Sequence, residues 1–448
     1  MKTDVLIIGG GLSGLAAAIK LSESNLKITL VESSGKLGGR TYSFQHKETG
    51  DIIDNGQHIL AGAYSNTLLY LKKIGATHFL SFQKNPHINF WSAKYGFSTF
   101  RISKIFPPSV SLFFAVLLFS GLSFRDRVNL LRIGKFISSL HENEKSIALQ
   151  TISEWLDEFH QSEEAREYFW KPLAIAVMNE EMHKASALLF ARALQHTLFR
   201  SASNAQMIFP RVGQTELYVD NAEKIFSERS VLVKKHTEVV SYKINGDTIQ
   251  RVQCKSGEEI EATNIISCVP SNVLHTISKN SGIQQKEFDD LMEFTTSAII
   301  TIYLWLDSII MNEEFIGVGG KTIQWIFNRN KIMLFLQRET QCIAVVMSGA
   351  NELIALDKER LVALCSSELF AIFPSMNTAR ILHTFVIKEK RATFSATPSV
   401  EKYRMNTLTT IENLYLAGDW TQTKLPATIE GAVQSGFEAA QKILEKKM

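Results

Sequence analysis

Residues 4–14, Asp4-Val5-Leu6-Ile7-Ile8-Gly9-Gly10-Gly11-Leu12-Ser13-Gly14, decide the fold. Val5 to Ile8 is the short apolar, β-branched run that a parallel strand buried on both faces requires. Leu15, Ala16, Ala17, Ala18, Ile19 and Leu21 then predict a helix, and Lys27-Ile28-Thr29-Leu30-Val31 a second strand that ends in Glu32. In that setting Gly9 permits the tight turn, Gly11 lets backbone approach a pyrophosphate, and Gly14 brings helix and strand together. The helix start, at Leu12 and Ser13, faces the phosphates with free N–H groups and the positive end of its dipole. Glu32 follows at the spacing from which a carboxylate accepts hydrogen bonds from an adenosine ribose. A glycine turn alone would be an ordinary flexible loop; strand, turn, helix, strand and acid together predict an adenine dinucleotide.

With 448 residues the chain is long enough for two or more domains, and its net charge of +3 gives no reason to expect a nucleic-acid partner. Cys254, Cys268, Cys342 and Cys365 form no close pair, so buried reduced thiols in a cytoplasmic protein are expected, with no disulfide and no metal site. Lys2 is followed by only a short apolar run and then the glycines of the turn, which does not read as a signal peptide. The longest apolar stretch, Ser109 to Phe124, is shorter than the eighteen or so residues of a spanning helix. It reads as a core helix or as one that dips into a single leaflet.

Further along, Gly38-Gly39-Arg40 suits a second loop pressed on the pyrophosphate, with Arg40 as counter-charge. Asp54-Asn55-Gly56-Gln57-His58 and Gly62-Ala63-Tyr64 place amides and an imidazole on a loop, where binding residues tend to sit. Residues 86–208 read as a mainly helical insertion. Within it Thr151-Ile152-Ser153-Glu154 has capping-box spacing and Ser162 offers another N-cap. The chain returns at Phe209-Pro210-Arg211-Val212-Gly213-Gln214-Thr215, after which Asn245-Gly246-Asp247 and Ser256-Gly257 predict a meander. Residues 276–404 carry strand-like runs that suggest a sheet beneath the insertion. Gly317-Val318-Gly319-Gly320 is followed by another strand pattern rather than a helix, which excludes a second dinucleotide loop. Near the end a strand through Leu414-Tyr415-Leu416 delivers Gly418-Asp419, and Pro426 is expected to begin a helix whose free N–H groups, near Ala427, Thr428 and Ile429, point at the ligand.

The two glycine loops together resemble the flavin signature of the amine oxidase and phytoene desaturase superfamily, and the resemblance covers nearly the whole chain. It implies an α/β fold: a Rossmann-type, glutathione-reductase-like FAD-binding domain from residues 1–85, 209–275 and 405–448, with an α+β substrate domain from 86–208 and 276–404 whose helical part faces the membrane. It implies FAD, held by Gly9, Gly11, Leu12, Ser13, Gly14, Glu32, Gly38, Gly39, Arg40, the backbone of Val239, Gly418, Asp419, Ala427, Thr428 and Ile429, with Gln57 and His58 beside the ring. Amine oxidases of this superfamily carry an aromatic where this chain has Thr428, and a lysine on a strand that aligns at Ile300. Both differences argue against amine chemistry.

Asp54 to His58, Trp170-Lys171-Pro172-Leu173 and Leu425-Pro426-Ala427-Thr428-Ile429-Glu430 are similar to the hydroxysqualene dehydroxylase family. That resemblance implies reductive removal of an allylic hydroxyl to give squalene, as in hopanoid biosynthesis, with an external reductant for the flavin that the sequence does not name. A carotenoid (phytoene-type) desaturase or isomerase would share the same features. For the proton that the departing oxygen needs, His58 or Glu430 is the candidate, with Asp54 and Tyr64 as orienting partners. Moving a C30 isoprenoid through water would cost on the order of 20 kcal/mol. Entry from the bilayer is therefore expected, with Ser109–Phe124 as an entry helix and the protein at the inner face of the cell membrane.

Overall fold

The computed structural model describes residues 1–334 and 339–446. Two seven-stranded sheets carry the architecture. In the first, the opening strand Lys2–Ile8 lies between Ile28–Val31 and Glu259–Ser267, parallel to both, with Ile7 level with Leu30 and Ile266. Leu232–Lys234 extends one side and Leu414–Leu416 the other, again in parallel. The meander Val239–Asn245, Thr248–Cys254 and Glu259–Ser267 closes the sheet. Parallel strands need cover on both faces. The helices Leu12–Leu21 and Ile429–Lys446 pack together on one face, close enough that a Cβ at Gly436 would stand 2.1 Å from the Ser13 carbonyl oxygen.

The second sheet is mostly antiparallel, in the order Ile381–Phe394, Thr296–Leu306, Gln341–Ser348, Trp325–Asn328, Phe315–Val318, His87–Ser92, Gly96–Arg101. Along Thr296–Leu306 the side chains alternate as strand geometry demands. Ile300, Ile302, Leu304 and Leu306 enter a core against helix Lys358–Ile372, while Tyr303 and Trp305 join the core beneath the insertion. Gly317 to Gly320 leads from strand into turn and on to strand Trp325–Asn328, with no intervening helix.

Two expectations need correction. Residues 87–101, expected within a helical insertion, form a hairpin whose first strand pairs in parallel with Phe315–Val318. Ile88, Phe90 and Trp91 favour a strand, and Gly96, at φ +63°, supplies the turn. The apolar stretch 109–124 is not one helix. Helix Pro108–Leu118 ends, the chain turns, and Ser123 caps a second helix, Phe124–Ser138, by accepting from the Asp126 N–H at 3.1 Å. The rest of the insertion is mainly helical up to strand Met207–Pro210, with the capping box at Thr151 and Glu154 and the N-cap at Ser162 both present. No helix among the described residues is long and apolar enough to cross a membrane.

Candidate functional site

The first glycine turn, the second and the closing helix meet at one place. Gly38 N–H donates to the Gly10 carbonyl at 2.8 Å, and a Cβ on Gly39 would lie 3.1 Å from the Gly11 Cα. Gly9, Gly38 and Gly39 all have positive φ, which side chains resist. Gly14 is needed because a Cβ there would sit 2.0 Å from the Gly9 carbonyl oxygen. At Gly11 the reverse holds: a Cβ would meet nothing within 4 Å, so this backbone borders open space. Glu32 accepts from Gly10 N–H at 2.7 Å and Ser34 N–H at 2.8 Å, which fixes its carboxylate across both loops. A carboxylate has about four acceptor positions, so capacity remains for ribose hydroxyls.

The last motif closes on the second. Asp419 takes both carboxylate oxygens to Arg40 Nη2 at 2.8 Å, and Arg40 also donates to the Ala392 carbonyl at 2.7 Å. The structure thus places Arg40, expected as a pyrophosphate counter-charge, on Asp419. Gly418 N–H is held by Ser435 Oγ at 2.8 Å. The closing helix begins at Ile429 rather than at Pro426. Thr428 is its cap, with its Oγ1 accepting from Gly431 N–H at 3.0 Å. The first N–H groups of this helix have no intrahelical acceptor and are free for a ligand. Val239 is buried at the start of its strand.

The Asp54–His58 loop is tied down from below. Asp54 Oδ1 accepts from Ser43 Oγ at 2.8 Å and Gln214 N–H at 2.9 Å, and its carbonyl accepts from the Tyr303 hydroxyl at 2.8 Å. Gln214 Nε2 lies 2.7 Å from both the Gly56 carbonyl and His58 Nδ1, and that nitrogen is itself 2.7 Å from the same carbonyl. Among the described residues no hydrogen bond engages His58 Nε2. Enclosure by the fold lowers the pKa of His58 below its ordinary 6.5, while the Gly56 carbonyl and the Asp54 charge pull the other way.

Asn55 Oδ1, Gln214 Oε1 and Thr301 Oγ1, all near Gly56, are buried without a hydrogen-bond partner. Buried acceptors and hydroxyls without partners are costly unless a polar ligand serves them. These atoms, the open space at Gly11 and the free helix N-terminus fit a dinucleotide with a polar ring system. Thr301, not Ile300, is the side chain of this strand that faces Gly56; Ile300 points into the opposite core.

Glu430 and Tyr64 lie elsewhere in the network. Both Glu430 oxygens are taken, by Asn66 N–H and Nδ2 and by Thr67 N–H and Oγ1, at 2.8 to 2.9 Å. The carboxylate therefore caps helix Ser65–Lys73 and presents no free edge to a ligand, which removes the ground for treating it as the acid. Tyr64 stands just before that helix, and burial beside Glu430 raises the pKa of its hydroxyl.

Three residues escaped the sequence reading. Gln214 is visible only as a polar side chain after a glycine where the chain re-enters the first domain. Arg329 is fully buried, 3.8 Å from Asp54 and 3.2 Å from Gln57 Oε1, with Tyr303 beneath its guanidinium. Arg404 is buried too, and holds the Thr421 and Leu425 carbonyls of the closing loop. Neither arginine belongs to a motif.

A sheet of this topology, with two glycine loops, an acid and a closing helix brought together around open space at Gly11, is that of a flavin-dependent oxidoreductase. The chain belongs to the flavin containing amine oxidoreductase family, whose profile matches residues 12–444, and its cofactor is FAD. It is similar to hydroxysqualene dehydroxylase of Zymomonas mobilis, at 28% identity over 97% of each chain. It is also similar to the 15-cis-phytoene desaturase of an Oncidium hybrid, at 23% identity over 99% of this chain and 78% of that one. Among solved structures, a double mutant of putrescine oxidase superposes with a TM-score of 0.75 at 15% identity, covering 99% of both chains.

Proposed function

We propose that this chain removes the hydroxyl group of hydroxysqualene to give squalene. The alcohol gains a hydride and a proton and loses water, so its carbon–oxygen bond is replaced by carbon–hydrogen. Reduced FAD, when bound, supplies the hydride and is left oxidised. Glu32, the Gly11 and Gly39 backbone, Asp419 and the N-terminus of the closing helix would hold it.

The observation that carries the reading is that the polar loop runs directly into the apolar core. Ile59, next to His58, packs on the same core as Leu173, Val177, Phe199, Met207 and Ile299, and each keeps some accessible surface. Partly exposed apolar side chains beside a polar loop suit a hydrocarbon chain and keep water from an allylic cation. His58 is assigned the proton delivered to the departing oxygen. Its depressed pKa makes the protonated ring a stronger acid, and Gly56 and Gln214 engage its Nδ1, leaving Nε2 for the substrate hydroxyl. Full-length similarity to a hydroxysqualene dehydroxylase supports the substrate assignment.

The test is anaerobic incubation of the purified protein and reduced FAD with hydroxysqualene, and separately with phytoene. Squalene from the first is the expected product. Absence of squalene, or a product from phytoene alone, overturns the proposal in favour of a carotenoid enzyme.

A further inference from the structure

Helix Pro108–Leu118 is apolar on both faces. Leu112, Ala115 and Val116 enter the core, while Val110, Phe113, Phe114 and Leu118 turn outward, Leu118 at 76% exposure. Ile105 and Phe106 precede them, with Ile105 at 88% exposure, and the Phe106 and Phe114 rings stand 5.9 Å apart. Phe124 and Val128, on the adjoining helix, extend the exposed apolar surface. Water makes a patch of this kind costly to leave bare, and such patches mark contact sites.

Charge identifies the partner. Residues 101–138 contain six bases, Arg101, Lys104, Arg125, Arg127, Arg132 and Lys135, against one acid, Asp126, which is buried. Arg127 is spent on the Leu117 and Leu122 carbonyls, but Arg125 and Arg132 are exposed. They line a groove of about 340 Å³ with Phe124, Val128, Asn129 and His160. Apolar side chains projecting beside a cationic groove match acyl chains beneath phosphate headgroups. A second copy of this chain would set like charges against each other across a self-complementary contact.

We propose that this face docks on an anionic phospholipid bilayer, with Phe113, Phe114 and Leu118 among the acyl chains and headgroup phosphate in the Arg125–Arg132 groove. The docked helix also packs on Gln195–Phe199, within the helical insertion. The inference stands on this surface alone and does not need the reaction assigned above.

Vesicle flotation of the flavin-loaded protein tests it. Binding to vesicles containing phosphatidylglycerol, falling with salt and weak on pure phosphatidylcholine, is expected. Arg125→Gln and Arg132→Gln should each weaken it about fivefold. Phe113→Ser with Phe114→Ser should weaken it about tenfold or more. All these positions are exposed, and flavin absorbance reports that the variants are folded. Failure to bind anionic vesicles, equal binding by the variants, or a dimer in solution that the phenylalanine changes dissociate would each overturn the proposal.

Discussion

Arg40 and Asp419, 379 positions apart in the chain, meet through one guanidinium nitrogen at 2.8 Å from both carboxylate oxygens. This pair joins the second glycine loop to the strand end that precedes the closing helix. Arg40 is 45% exposed, so the pair itself contributes only about 0.2–1 kcal/mol to folding. Its importance in the proposed site lies in placing two loops that would flank the cofactor. Asp419→Ala is therefore expected to melt close to the wild type without flavin yet to bind FAD poorly. Thermal melting with and without added FAD separates the two effects.

Two glycines three residues apart should respond in opposite ways. At Gly14 a methyl group collides with the Gly9 carbonyl at 2.0 Å, so Gly14→Ala should disrupt the fold itself. At Gly11 the methyl group meets no protein atom, and the φ of −72° suits alanine. Gly11→Ala should keep the stability of the flavin-free protein while crowding the pyrophosphate by about 1–3 kcal/mol. That is about 5- to 150-fold in affinity, readable by flavin titration.

The first sheet was legible because its signals are local: a buried strand, a turn that demands glycine, a helix and an acid lie within 32 residues of each other. The closing helix was legible for the same reason, though Pro426 misled about its start because Thr428 supplies the cap two residues further on. The 87–101 hairpin was missed although Ile88, Phe90, Trp91 and Gly96 are local signals for it; its docking on Phe315–Val318, more than two hundred residues away, is what no short-range pattern reports. Buried cations are equally silent. Arg329 and Arg404 belong to no motif and emerge only once the fold surrounds them, and Glu430 read as a candidate acid until helix Ser65–Lys73 arrived with four donors.

Those four donors make Glu430→Gln a stability variant rather than a catalytic one. An amide NH₂ in place of one oxygen would face N–H or O–H donors and lose two charge-assisted bonds, about 3 kcal/mol or more in all. A lower denaturation midpoint is expected, with turnover per bound flavin retained. A stable variant with no turnover would return Glu430 to the chemistry.

Arg329 and Asp54 form the buried pair beneath the loop. Removing one partner of such a pair typically costs about 3–5 kcal/mol, because the other charge is left in the interior. Arg329→Met should lose that stability and also release Gln57, whose side-chain oxygen it holds. Arg329→Lys should keep much of the stability but not the two-point hold on Gln57 and the Ile52 carbonyl. Denaturant melts, together with the shift in flavin absorbance that follows a change around the ring, check both.

His58 gives the pH dependence its sign. Burial puts its folded pKa below 6.5, so the unfolded chain holds the proton more readily than the native protein. Its contribution to stability is complete above about pH 6.5 and is lost as pH falls through the folded value. Proton delivery runs the other way: the protonated fraction grows as pH drops below 6.5, and the rate should rise over that range and level off beneath the folded pKa. His58→Gln should remove this acid limb and lower turnover about 10²–10⁴-fold, while keeping a side chain that still bonds Gly56. Initial rates of anaerobic squalene formation, normalised to bound flavin at each pH, measure it. A wild-type profile that stays flat below pH 6.5 would show that His58 positions the substrate hydroxyl without protonating it.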